Sequence, residues 1–183
     1  TSDTPSSEPV AMVDPTQADE QASTAPGQAA PAVAKTEPAS DEPPLTGVRV
    51  LIVEDGVDNQ RLIGYHLRKA GAETETADHG RLALERLTDG EGIEGRLLEP
   101  FPFDVILTDM QMPEMDGYEL AGRLRTLACP VPVVALTAHA MESDRDKCLA
   151  AGCVDYVTKP IDRDRLIEVC ATLSQPPQDR AAA

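Results

Sequence analysis

From Gly47 to about residue 175, short apolar runs alternate with stretches whose apolar positions recur every three or four residues. Val48 to Val53 (VRVLIV) and Asp104 to Thr108 (DVILT) read as strands, as do Val131 to Leu136 and Val154 to Val157. Ala72 to Ala77 alternates apolar and polar residues and predicts a weaker strand suited to a sheet edge. Helical spacing fills the intervals. A first helix runs from Asp58, a candidate N-cap, through Leu62, Ile63 and Leu67 to a stop at Gly71. Further helices are expected over Gly80 to Leu87, Gly117 to Leu127, Met141 to Ala151 (closed by Gly152) and Asp162 to about Leu173. Five strand–helix units predict an α/β fold, a parallel sheet with helices on both faces. Strands that are apolar along their whole length fit a sheet buried on both sides.

Two regions depart from this rhythm. Asp89 to Pro102 carries Gly90, Gly92, Gly95 and Pro100 and is too long for an ordinary connection. It reads as a surface excursion, more a tolerated insertion than a docking element, with Leu97, Leu98, Phe101 and Phe103 as anchors. Residues 1–46 hold eight of the sixteen prolines, no aromatic residue, and eight acidic residues against Lys35 alone. Such a stretch cannot bury enough apolar surface to offset its ordering entropy and is expected to be a disordered linker. Residues 47–175 form the expected domain, and residues 176–183 a flexible tail.

Charge narrows the partners. A formal net charge of −16 argues against a nucleic-acid surface and against a polybasic membrane patch. No apolar run approaches a membrane span, and the leader lacks the pattern of a secretory signal. The four cysteines, Cys129, Cys148, Cys153 and Cys170, have no CxxC spacing. They are expected to be small buried thiols in a reducing, cytoplasmic setting.

Ligands of an open parallel sheet bind beyond the carboxyl ends of its strands. Glu54 and Asp55 follow the first strand, Asp109 the third, Thr137 ends the fourth, and Lys159 comes soon after the fifth. Taken singly, each has an ordinary reading as a turn former, a helix cap or a solvated charge. Together they deliver three carboxylates, a hydroxyl and an ammonium to one edge. Clustered carboxylates need a cation, and an oxygen-only donor set suits Mg²⁺. Asp55 and Asp109 are the direct ligands in this reading, with the longer Glu54 able to act through a water. Metal, Lys159 and Thr137 would serve phosphoryl transfer to the Asp109 carboxylate.

The segments VEDGVDNQ (53–60), LTDMQMPEMDGYEL (107–120), VVALTAHAM (133–141) and DYVTKPI (155–161) resemble the response-regulator receiver domain in order and spacing. The resemblance implies a flavodoxin-like doubly wound sheet of order 2-1-3-4-5 with five helices. It implies Asp109 as phosphoacceptor, Glu54 and Asp55 as the acidic metal pair, and the Gln111 backbone carbonyl as a further Mg²⁺ ligand. It also implies Thr137 and Tyr156 as switch residues, Lys159 as the active-site lysine, and Gln111 and His139 as positions that tune phosphoaspartate lifetime. A cis Lys159–Pro160 bond belongs to the same pattern. The acidic pair here is Glu-Asp rather than Asp-Asp.

The motif texture is most similar to receivers at the C-terminus of hybrid sensor histidine kinases. That implies a histidine kinase core, a histidine phosphotransfer protein, or both, as partners, and a cytoplasmic module whose parent can be membrane-anchored. His66 reads as a surface or packing residue rather than a phosphohistidine. The alternatives are a stand-alone response regulator, a receiver-like module that only binds, and, third, an aspartyl-nucleophile phosphatase.

Overall fold

The computed structural model describes residues 42–89, 95–138 and 142–174. Its five strands are β1 (Arg49–Val53), β2 (Glu73–Ala77), β3 (Val105–Asp109), β4 (Val133–Thr137) and β5 (Asp155–Thr158). All pair in parallel, in the order β2-β1-β3-β4-β5. The helices are α1 (Val57–Lys69), α2 (Gly80–Leu87), α3 (Gly117–Thr126), α4 (Glu142–Ala151) and α5 (Arg163–Ser174). The doubly wound fold expected from the sequence is therefore present.

Pleating sorts the apolar strands onto two cores, because successive side chains point to opposite faces. Val50, Ile52, Val105, Leu107, Val134 and Leu136 pack with Ile63 and Leu67 of α1 and Leu166, Val169 and Cys170 of α5. Leu51, Val53, Ile106, Val133 and Ala135 pack with Ala83, Leu84 and Leu87 of α2, Leu120 and Leu124 of α3, and Cys148 of α4. Each fully buried Leu or Ile contributes roughly 1.5–3 kcal/mol of transfer free energy, so these two layers dominate the stability. β2 lies at the edge with an alternating burial pattern, as its sequence predicts.

Several boundaries differ from the sequence expectation, each for a local reason. α1 is capped at Gly56 rather than Asp58, and Gln60 N–H already donates to the Gly56 carbonyl. Asp58 falls in the first turn, where a carboxylate suits the positive helix end. Leu62, placed with the core-facing pattern, is exposed. β4 begins at Val133, not Val131, since Pro132 has no N–H for a ladder; its carbonyl instead accepts from Ile106. β3 extends one residue further, so Asp109 closes the strand instead of following it.

The packed chain also begins ahead of Gly47. Leu45 is completely buried among the α1 and α5 core residues, and its N–H donates to Ala70. The excursion after α2 is tied down at both ends. Thr88 and Leu97 form an antiparallel bridge, Leu98 N–H donates to Leu87, and Phe103 is buried while Phe101 and Leu97 pack beside it. The expected leader over residues 1–41, the 90–94 stretch, His139 and the tail after 174 lie outside the described residues.

Three helices end in the same reverse turn. After α1, Ala72 N–H bonds Leu67 O and Gly71 N–H bonds Arg68 O, with Gly71 at φ +97°. After α4, Gly152 takes this place at φ +122°. After α3, it is Ala128 at φ +53°, with Cys129 N–H on Leu124 O and Ala128 N–H on Arg125 O. An L-residue there costs about 1 kcal/mol, partly offset by its lower freedom in the unfolded chain. Ala128→Gly is expected to stabilise the protein by about 0.5 kcal/mol in urea titration; a lowered midpoint contradicts this account of the turn.

Candidate functional site

The parallel register delivers the polar residues to one edge. Glu54 continues the ladder past β1, its N–H donating to Ala77 O. Asp109 ends β3 in register with Leu136, and Thr137 closes β4 one residue later. The chain leaving β5 folds back over that end, where Lys159 N–H donates to Thr137 O at 2.7 Å. The following Lys159–Pro160 bond is cis.

At the centre, Lys159 Nζ lies 2.7 Å from Glu54 Oε2 and 2.6 Å from Asp109 Oδ2. The remaining oxygens are also met by donors: Asn59 Nδ2 reaches Glu54 Oε1 at 2.7 Å, and Gln111 N–H reaches Asp109 Oδ1 at 3.0 Å. Glu54 is 1% exposed and Asp109 8%, whereas Asp55 is exposed. Burial alone would lower the affinity of Lys159 for its proton. Its hydrogen bonds and charge attraction to Asp109 and Glu54 outweigh that and raise its pKa above 10.5.

Glu54, Asp55 and Asp109 each place a carboxylate oxygen within 4.8 Å of the others. Three carboxylates at that separation repel, and Lys159 is the cation paired with two of them. The set is oxygen-only, and among the described residues no His or Cys joins it. These donors suit a hard divalent ion.

The other expected site residues are distributed around this centre. Thr137 is buried, Tyr156 is half-buried within β5, and Gln111 is exposed on the loop after β3. His139 is outside the described residues. The cysteines are free thiols, with Cys148, Cys153 and Cys170 buried. Burial pushes the thiols of Cys153 and Cys170 up to about 12, leaving them inert.

Several supporting residues carry no signal of their own in the sequence. Gln60 donates to the Glu54 carbonyl at 2.6 Å and to Asp78 Oδ1 at 2.9 Å, tying the loops after β1 and β2 together. Gly80 N–H donates to Met115 O, and Arg81 pairs with Glu114 at 2.9 Å, fixing α2 to the loop after Asp109. Gly117 packs so closely on Asp109 that an added Cβ would collide with its carbonyl oxygen. A small residue eight positions after a strand-end acid is the sole sequence trace of that contact.

Comparison with known proteins agrees with this geometry. The family pattern described as the response regulator receiver domain matches residues 50–171. The chain belongs to that family. The receiver is 38% identical over 135 residues to probable histidine kinase 2 of Oryza sativa subsp. indica, covering 70% of this chain. It is likewise 38% identical over 131 residues to the signal transduction histidine-protein kinase BarA of Escherichia coli K12. The match covers 70% of this chain and 13% of either kinase. Among solved structures, the receiver domain of a Pseudomonas aeruginosa sensor histidine kinase is 32% identical with a TM-score of 0.58, covering 70% of this chain and 98% of that one. That structure has a magnesium ion coordinated in its active-site cleft. The receiver domain of a Saccharomyces cerevisiae response regulator, in co-crystal with the histidine phosphotransfer protein upstream of it, gives 30% identity and a TM-score of 0.61, covering 71% of this chain and 90% of that one.

The Lys159 bridge has a testable pH signature. Its folded pKa lies above the ordinary 10.5, so its contribution is complete below that pH and is lost as pH rises through the folded value. In metal-free buffer at pH 8, Lys159→Met is expected to cost about 2 kcal/mol by leaving buried carboxylate oxygens without their donor. The gap to wild type should close above pH 10.5; a gap that is constant with pH rules out the bridge as its source.

Proposed function

We propose that this receiver accepts a phosphoryl group on Asp109 from the phosphohistidine of a histidine kinase or histidine phosphotransfer protein, with Mg²⁺ as cofactor. The observation that carries the reading is the Asp109 carboxylate itself. It ends β3, is oriented through both oxygens by Lys159 and the Gln111 N–H, and stands within the carboxylate group of Glu54 and Asp55. Asp55, Asp109 and the Gln111 backbone carbonyl would hold the ion, with Glu54 beside them. Bound there, Mg²⁺ supplies positive charge to the phosphoryl oxygens.

In the transfer, an Asp109 oxygen attacks phosphorus as the phosphorus–nitrogen bond of the donor breaks. The imidazole nitrogen leaves with the bonding electron pair, and Asp109 becomes an aspartyl phosphate. Lys159, already on Asp109, is within reach to pair with a phosphoryl oxygen as charge develops. Thr137 is assigned the hydrogen bond to another oxygen, and Tyr156 the accompanying inward turn. Such a rearrangement would bias the surface around β4 and α4 between two states. Gln111 and His139 are assigned the tuning of phosphoaspartate lifetime.

The similarity to histidine kinases supports a parent of that kind, with residues 47–175, extended at the front by the buried Leu45, as its receiver unit and the acidic, Pro-rich residues before it as a tether. No helix among the described residues is long and apolar enough to cross a membrane. The similarity to histidine kinases is what supports a cytoplasmic place for the unit.

Incubation with a small phosphodonor such as acetyl phosphate should label the protein in a Mg²⁺-dependent way. The label should vanish in Asp109→Asn and on chelation. Labelling that persists at another residue refutes Asp109 as acceptor, and complete absence of labelling in wild type favours a module that only binds.

A further inference from the structure

Glu54 owes its orientation to a residue outside the acidic cluster. Its carboxylate is almost completely buried, so an oxygen without a donor there would carry a desolvation cost. Lys159 supplies the donor for Oε2, and Asn59 supplies the donor for Oε1 at 2.7 Å. Asn59 sits in the first turn of α1 and is itself exposed, where an amide is ordinarily solvated or used to cap the helix. Here the cap position belongs to Gly56, which makes no side-chain cap bond. The Asn59 amide instead turns onto the carboxylate.

A second observation concerns the space this bond occupies. A Cβ added at Gly56 would stand 3.0 Å from Glu54 Oε1 and 3.2 Å from Asn59 Nδ2. Gly56 has φ −81°, so backbone freedom does not demand glycine; an added Cβ would instead crowd the Asn59–Glu54 contact and make it give by a few tenths of an ångström. The adjacent Gln60 grips the Glu54 carbonyl at 2.6 Å, so two consecutive residues of α1 hold one acid by its backbone and by its side chain.

We propose that Asn59 is a positioning residue for the divalent-cation site, acting through Glu54, with Gly56 providing the clearance it needs. Held by Oε1, Glu54 presents Oε2 to Lys159, and Asp55 and Asp109 would be the carboxylates that hold the ion. Without Asn59, the freed oxygen competes for Lys159, which is shared with Asp109. This inference rests on the metal reading above and adds a residue to it that contacts neither the ion nor the phosphoryl group.

Magnesium titration of the full 183-residue chain, followed by NMR or calorimetry, tests it without reference to phosphorylation. Asn59→Ala is expected to weaken Mg²⁺ binding about ten-fold, as loss of an outer hydrogen-bond partner does at other metal sites. Gly56→Ala, with a folded backbone, should weaken it in the same direction by a smaller factor. In a Glu54→Gln background, Asn59→Ala should change affinity less than about two-fold, because its partner's charge is already gone. Unchanged affinity in both Asn59→Ala and Gly56→Ala, or equal weakening with and without the Glu54 carboxylate, overturns the positioning role. Wild-type protein that binds no Mg²⁺ overturns the metal reading itself, and this inference with it.

Discussion

The ammonium of Lys159 stands between the carboxylates of Glu54 and Asp109, and the arrangement of the surrounding loops follows from that contact. Two buried carboxylates cannot be held side by side without a positive charge, since their repulsion grows as the dielectric falls. The sheet order makes the approach possible: β1 and β3 are neighbours, so Glu54 and Asp109 emerge next to each other. β5 is separated from β1 by both β3 and β4, and Lys159 spans the gap because the chain after β5 turns back across the end of β4. The backbone bond from Lys159 to Thr137 O therefore fixes the counter-charge and the candidate sensing hydroxyl relative to each other.

Around that centre, the loops are joined sideways rather than only to their own strands. Gln60 connects the loop after β1 to Asp78 after β2. Gly80, His79 and Arg81 connect the start of α2 to Met115 and Glu114, on the loop that follows Asp109. Gly117 lets α3 begin directly against the Asp109 backbone. A displacement at Asp109 would thus be felt by both helix layers, because rigidly packed cores transmit strain instead of absorbing it.

The sequence made most of this readable for physical reasons that can be named. Continuous runs such as DVILT have no reading other than a strand buried on both faces once helices alternate with them, and the strand-end acids then follow by counting. Boundaries were less legible where proline chemistry or a cap decided them, as at Val133 and Gly56. Counting from the strand ends carried Asp109, Glu54, Asp55, Thr137 and Lys159 to one edge, the resemblance gave each a role, and the geometry brings Glu54, Asp109 and Lys159 into contact. Contacts such as Asn59 to Glu54 or Arg81 to Glu114 left no trace, because an exposed amide or arginine in a first helical turn is compatible with many partners. Leu45 was hidden by the prolines around it, which made a buried anchor look like the end of a linker.

Among the three acids, the environment of Asp109 suits the proposed acceptor role best. Glu54 is more deeply buried, and both of its oxygens are taken, one by Asn59 and one by Lys159. Asp55 is exposed and takes part in no ion pair among the described residues, so nothing there fixes a direction of attack. Asp109 has an ammonium on one oxygen and a backbone N–H on the other, yet it keeps more contact with solvent than Glu54. Orientation and access conflict in general, because the donors that fix a carboxylate also bury it. In this receiver they are reconciled at the end of β3, where the strand fixes the backbone and the open edge of the sheet leaves an approach to the carboxylate.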